Sequence, residues 1–136
     1  AIASDTSSFA TPGVNLGLFC STPMVALSRN VKKKDAMKML LTGEMIDAEE
    51  AKRISLINDH VVSEKLSVEV MNLAKKIASK SMKTVNIGKS AFYKQAELSL
   101  SDAYRYTSEV MAKNIMNDDA KEGIASFIEK RDPNWD

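Results

Sequence analysis

The sequence predicts an α/β chain that is mostly helical, with a few short strands near the N-terminus and at about residues 56–62. Three observations carry this expectation. The stretch from Ala1 to about Phe19 is rich in small, β-branched and turn residues, which favour short extended pieces. From Thr22 onward apolar residues recur every three or four positions between cap and stop signals, the mark of amphipathic helices. Leu56–Val62 (LINDHVV) is the one later stretch with extended character.

Taken in order, Ser4, Asp5, Thr6, Ser7 and Ser8 and then Thr11-Pro12-Gly13 break the opening stretch into extended pieces joined by turns. Thr22 followed by Pro23 has the form of an N-cap with proline at the first helical position, and Met24, Leu27 and Val31 follow at helical spacing. Lys34 to Thr42 places Met37, Leu40 and Leu41 on one face and stops at Gly43, a residue suited to a left-handed C-cap. Asp47 with Glu50 three residues later forms a capping-box pattern, opening a two-turn helix with Ala48, Ala51 and Ile54 inward. Ser63 is the expected cap of the longest helix, whose stripe is Leu66, Val70, Leu73 and Ile77 and which runs to about Ser79. Lys65, Lys75, Lys76 and Lys80 fall largely off that stripe.

Three further helices are expected. Lys83 to about Gln95 turns Val85, Gly88 and Phe92 inward, and Ser101 to about Met116 turns Ala103, Thr107, Val110 and Met111 inward. Ala120 to about Arg131 is capped by Asp118 or Asp119. Isolated helices shorter than about 12 residues are marginal in water, so these helices must dock on something. The eight methionines provide adaptable packing surface for cores and subunit contacts alike.

Composition narrows the classes. With 136 residues, 44% hydrophobic and 27% charged, the chain is long and apolar enough for a sizeable core. Nineteen basic against eighteen acidic residues leave a net charge of +1, which lacks the basic footprint of nucleic-acid binding. One cysteine, Cys20, and one histidine, His60, exclude an internal disulfide and zinc sites built on several Cys or paired His. No apolar run approaches the roughly 18 residues of a membrane span and no signal-peptide pattern is present, so no membrane insertion and an intracellular setting are expected.

Candidate chemistry from the residues alone is thin. Cys20 and His60 are the one thiol–imidazole pair, yet a lone cysteine is most often a small buried apolar residue. Lys32-Lys33-Lys34 at a helix start suits either an anion or plain solvation. Glu49-Glu50 and Asp118-Asp119 lie at helix starts, where capping and the helix dipole account for them. The five glycines form neither GxGxxG nor a P-loop.

Three separated blocks change the picture. FATPGVNLGLFCSTPMVAL (Phe9–Leu27), MLLTGEMIDAEEAKRISLINDHVV (Met39–Val62) and EGIASFIEKRDPNW (Glu122–Trp135) resemble, in the right order, motifs of the enoyl-CoA hydratase/isomerase (crotonase) family. The family's ββα spiral is the fold this implies. Family members are about twice this long, so the resemblance makes the chain a C-terminal half, in keeping with its start at AIASDTSSFATPGV without an initiator Met. Residues 1–62 would be the C-terminal part of the spiral core, and 63–136 the helical trimerisation region. The expected partners are an acyl-CoA, a missing N-terminal half, and further copies in a homotrimer or hexamer. No cofactor is implied beyond the CoA thioester as substrate or ligand. The compartment would be bacterial cytoplasm or mitochondrial matrix.

The chemistry implied is stabilisation of a thioester enolate by two backbone N–H donors that the family carries in its N-terminal half. Loss of one such donor typically costs about 2.7–4 kcal/mol of transition-state stabilisation, so the chain alone is expected to be inactive. Gly13 stands where many hydratases and isomerases have a glutamate for proton transfer, a group worth about 10²–10⁴-fold in rate. The alternative is therefore a catalytically silent acyl-CoA-binding or assembly subunit. By the same resemblance Leu16, Gly17 and Leu18 would lie near the acyl pocket, although such residues equally suit plain packing. Phe127 and Lys130 would meet the adenine and phosphates of CoA bound to a neighbouring subunit, or else be a core anchor beside Ile124 and Ile128 and a solvated cation. Ser55 replaces a family glycine after the short helix, at a modest cost if the turn is left-handed.

Overall fold

The computed structural model, which describes residues 1–135, pairs β1 (Ile2–Ser4) in parallel with β4 (Asp59–Val61) and β2 (Ser8–Phe9) antiparallel with β3 (Ile46–Asp47). The β1–β4 register sets Ile2 opposite Asp59, Ala3 opposite His60 and Ser4 opposite Val61. Parallel neighbours need a long crossover. Here it holds β2, β3 and the helices α1 (Ser21–Asn30), α2 (Lys33–Thr42) and α3 (Ala48–Arg53). The chain falls into two compact units, Ala1–Leu73 and Ala74 onward, with the division inside α4 (Leu66–Ala78).

The first unit is built on aliphatic packing. Leu27, Val31, Ala36, Met39, Leu40 and Ile54 form one buried cluster, and Ala48, Ala51 and Ile57 a second, with Ile46 and Leu56 packed against both. Two local signals act as expected. Gly43 closes α2 in the left-handed region at φ 61°, and Asp47 Oδ1 accepts the Glu50 N–H at 2.8 Å to start α3. The capping box is one-sided, because the Glu50 carboxylate turns to Arg53 instead of reaching back.

Four expectations in this unit need correction. Residues 12–16 form a 3₁₀ turn, not an extended piece, since Pro12 fixes its φ in the helical range. Helix α1 starts at Ser21 after Cys20, with Thr22 and Pro23 inside its first turn, where a missing N–H breaks no helical bond. On α2 the buried face is Ala36, Met39 and Leu40, while Met37 and Leu41 face solvent; the small Ala36 centres the stripe one position earlier. Ser63 opens a 3₁₀ turn before α4, and α4, at 13 residues, is shorter than the 16-residue α6. The α4 stripe itself is real in sequence but uncovered, with Val70, Leu73 and Ile77 44%, 44% and 49% exposed.

In the second unit α5 (Met82–Gln95), α6 (Leu100–Ile115) and α7 (Asp118–Glu129) pack on one another. Ser81 caps α5 and Ser99 caps α6, each accepting the N–H three residues on. The only buried apolar side chain among its described residues is Ala91, and the other buried positions are Ser81, Asp119 and Ser126. Phe92 and Met111 are exposed and Gly88 faces open space, contrary to the inward faces expected of them. The other expected inward positions, Val85, Ala103, Thr107 and Val110, are half-buried, as is Thr84. Asn117 precedes α7, and Asp119 lies within its first turn as a buried group, not as the cap.

Candidate functional site

The loop from Pro12 to Cys20 lies within the first family-like block and folds back on itself. Leu18 N–H donates to Gly13 O at 3.0 Å, Gly17 N–H to Val14 O at 3.2 Å, and Gly13 N–H to Cys20 Sγ at 3.2 Å. Gly17 takes φ 72°, which an L side chain would resist. The loop therefore satisfies its own backbone and leaves its apolar side chains outward. Leu16 is 78% exposed and Leu18 66%, with Phe19 beside them also exposed. Gly13, Leu16, Gly17 and Leu18 thus share one loop in the first unit.

No side chain is accommodated at position 13. A Cβ built on Gly13 would lie 2.7 Å from Cys20 Sγ and 2.9 Å from Leu18 O, closer than real carbon atoms approach. Just before it, Thr11 is buried and its Oγ1 has no hydrogen-bond partner among the described residues. Thr11 lines a groove of about 660 Å³ with Ser8, Phe9, Pro23, Ala26 and Asn30. Sequence reasoning passed over this hydroxyl, because a threonine before proline carries no sign of its burial. Cys20 and His60 are not joined: the thiol takes the Gly13 N–H, and His60 sits on β4 with its backbone N–H on Asp59.

In the second unit Phe127 is 82% exposed and Ile124 and Ile128 are exposed with it, so Phe127 is not a core anchor. It lines a largely apolar groove of about 560 Å³ with Ile124, Val85 and Trp135, whose polar end holds Lys80, Ser81 and Asp119. Lys130 ends α7 at φ 54°, left-handed and exposed. The Ser81 hydroxyl donates to the Asp119 carboxylate while accepting the Thr84 N–H, so one side chain joins the starts of α5 and α7. The tail after α7 returns over this region. Arg131 grips Glu122 with two N–H groups at 2.5 and 2.9 Å, Asn134 N–H reaches the same carboxylate at 2.8 Å, and Trp135 Nε1–H donates to Ser79 O at 3.0 Å. Those hydrogen bonds, from Arg131 first and then Asn134, pull the Glu122 pKa from its usual 4.5 to about 2.

Elsewhere the shifts are those of surface ion pairs. Arg53 lowers the Glu50 carboxyl, Lys52 and the His60 N–H lower Asp59, and Lys121 lowers Asp118. Among the described residues no three or more His, Cys, Asp or Glu side chains gather as a metal site, and no helix is long and apolar enough to cross a membrane.

The enoyl-CoA hydratase/isomerase family model matches residues 1–136, the whole sequence. The chain belongs to that family. Mouse mitochondrial enoyl-CoA hydratase domain-containing protein 3 is 54% identical over 135 residues, covering 99% of this chain and 45% of the mouse protein. A crystal structure of enoyl-CoA hydratase from Mycobacterium smegmatis superposes with a TM-score of 0.96 at 44% identity, covering 99% of this chain and 52% of that one. The crystal structure of human enoyl-CoA hydratase domain-containing protein 3 gives 0.94 at 52% identity over 99% and 53% of the two chains. The α/β crotonase-like fold expected from the three sequence blocks is therefore present, mostly helical with short strands. The chain spans about half the length of the curated relatives it matches.

Proposed function

We propose that this enoyl-CoA hydratase/isomerase family chain serves an acyl-CoA thioester-handling protein, as a binding wall and not as a source of the proton-transfer acid. The single observation that carries this reading is the closed loop at Gly13: the position that resembles the family's acid has neither a carboxylate nor room for one. Leu16, Gly17 and Leu18 line the acyl side, while Phe127 and Lys130 meet the adenine and phosphates of CoA bound to a neighbouring subunit. Enolate stabilisation, where the whole protein is active, comes from two backbone N–H donors in the family's other half, so hydration or isomerisation would draw its acid from a carboxylate other than residue 13. No cofactor is needed beyond the CoA thioester. The uncovered apolar faces of α4 and α7 support assembly as a homotrimer or hexamer. Bacterial cytoplasm and mitochondrial matrix both suit this chemistry.

The Gly13 geometry specifically favours the second reading, a catalytically silent acyl-CoA-binding or assembly subunit. Thermal unfolding of the protein in its native polypeptide, with crotonyl-CoA against free CoA, separates the two while the enoyl thioester is followed by absorbance. A silent binder is stabilised, by about 2.7 kcal/mol at a ligand concentration of 100 Kd, and leaves the thioester unconsumed. Consumption of crotonyl-CoA above background selects the enzyme. Absence of stabilisation by either ligand overturns the acyl-CoA reading altogether.

A further inference from the structure

We infer that Cys20 is a positioning residue that reserves position 13 for glycine, so that the acid cannot be restored by substitution at 13. Gly13 is not held by its backbone angles, since the left-handed glycines are Gly17 and Gly43. It is held by space. Its N–H points at Cys20 Sγ (3.2 Å), its carbonyl accepts from Leu18 N–H (3.0 Å), and the thiol and the Leu18 carbonyl together occupy the volume where a Cβ would start, at 2.7 and 2.9 Å. Cys20 Sγ thus does two things at once: it accepts a backbone N–H, which sulfur does weakly, and it closes the loop against any larger residue. Cys20 also immediately precedes α1, so the same atom ties the loop to the start of a helix whose Leu27 belongs to the core.

The consequence for chemistry rests on the acyl-CoA reading above; the coupling of residues 13 and 20 does not, and it is tested without ligand. Cys20 is the chain's single cysteine, so thiol alkylation by iodoacetamide reports this loop alone. Gly13→Ala is expected to raise the rate of Cys20 alkylation by about tenfold or more, the change in local opening that overpacking of this size implies. An unchanged rate overturns the inference. Cys20→Ala, which adds no bulk, is expected to speed hydrogen exchange at the Gly13 amide by about tenfold through loss of its acceptor, and Cys20→Ser to keep most of the protection. Unchanged exchange in Cys20→Ala overturns the inference even if Gly13→Ala does not fold. Finally, Gly13→Glu should hydrate crotonyl-CoA no faster than the parent protein, and a clear gain would overturn it. Failure of acyl-CoA to bind overturns the proposed function while leaving both ligand-free readouts standing.

Discussion

The two units spend similar sequences differently. In the first, helices only 6–10 residues long bury Leu27, Met39, Leu40, Ala51 and Ile54 in shared aliphatic clusters. In the second, helices of 12–16 residues bury Ala91, half-bury Val85, Ile87, Tyr106 and Val110, and expose other large apolar groups, among them Phe92, Tyr104, Met111, Phe127 and Ile128. What holds the second unit is polar and local: serine caps, the Ser81–Asp119 bond, and the Arg131–Glu122 and Trp135–Ser79 contacts of its tail. The short helices are covered by a core within this chain, whereas the long amphipathic helices leave apolar faces that it does not cover. Helical amphipathicity therefore says which face is apolar, not whether the same chain covers it.

The largest test of that contrast is a pair of truncations. Leu40, 1% exposed, is expected to cost about 2–5 kcal/mol as Leu40→Ala, because the cluster around it cannot fully collapse. Phe127→Ala removes a larger side chain but one that is 82% exposed, so its effect on chain stability stays within about 0.5 kcal/mol. Urea unfolding of both variants checks this. Equal losses would mean that the second unit has an apolar core after all.

Next in size is Ser81→Ala. The substitution removes the cap of α5 and leaves the buried Asp119 carboxylate without its hydroxyl donor, a loss of about 1–3 kcal/mol. Hydrogen exchange should localise it to α5 and the first turn of α7, with the amides of α2 and α3 unchanged. Ser99→Ala, a cap that binds a half-buried aspartate, is the milder comparison.

These residues mark how much was legible in advance. Capping chemistry is local, so Gly43 and the Asp47–Glu50 pair read directly from sequence. The family blocks likewise located the loop that carries Gly13, Leu16, Gly17 and Leu18. The inward faces of α2 and α5 differ from expectation where large residues take precedence over alanine: Ala36 and Ala91 are buried, while Met37, Leu41 and Phe92 are not. On α6 Ala103, Thr107 and Val110 are half-buried as expected and Met111 alone is exposed. A small residue lets helices approach closely and leaves no hydropathy peak to announce it. The Ser81–Asp119 bond and the closure of Cys20 on Gly13 join residues whose meeting depends on the fold, and no local pattern encodes them.

A smaller effect belongs to acid. The Glu122 carboxyl, drawn from 4.5 to about 2 by Arg131 and the Asn134 N–H, binds its proton less readily in the folded chain than in the unfolded one. Its contribution is thus fully present above about pH 4.5 and is lost as pH falls through about 2. Because Asn134 shares that carboxylate and the adjacent Trp135 is the chain's single tryptophan, indole fluorescence should report release of the tail in this window. Glu122→Gln should remove most of the pH dependence between 4.5 and 2. A transition unchanged by that substitution would assign the release to another carboxylate.

The smallest effects divide stability from binding. Among the described residues each unit contains one left-handed residue other than glycine, Ser55 at φ 66° after α3 and Lys130 at φ 54° after α7. Glycine relieves the Cβ strain of that conformation, about 1 kcal/mol, and gives part of it back through a freer unfolded chain. Ser55→Gly should therefore raise the melting temperature slightly and leave acyl-CoA stabilisation intact. Lys130→Gly should raise it by a similar amount, yet it also removes the cation proposed to meet the CoA phosphates, so stabilisation by crotonyl-CoA should weaken. The sign of that split is the informative part. If both variants gain stability and both keep full response to ligand, Lys130 serves only to end α7, and the CoA phosphates must be met by other cations.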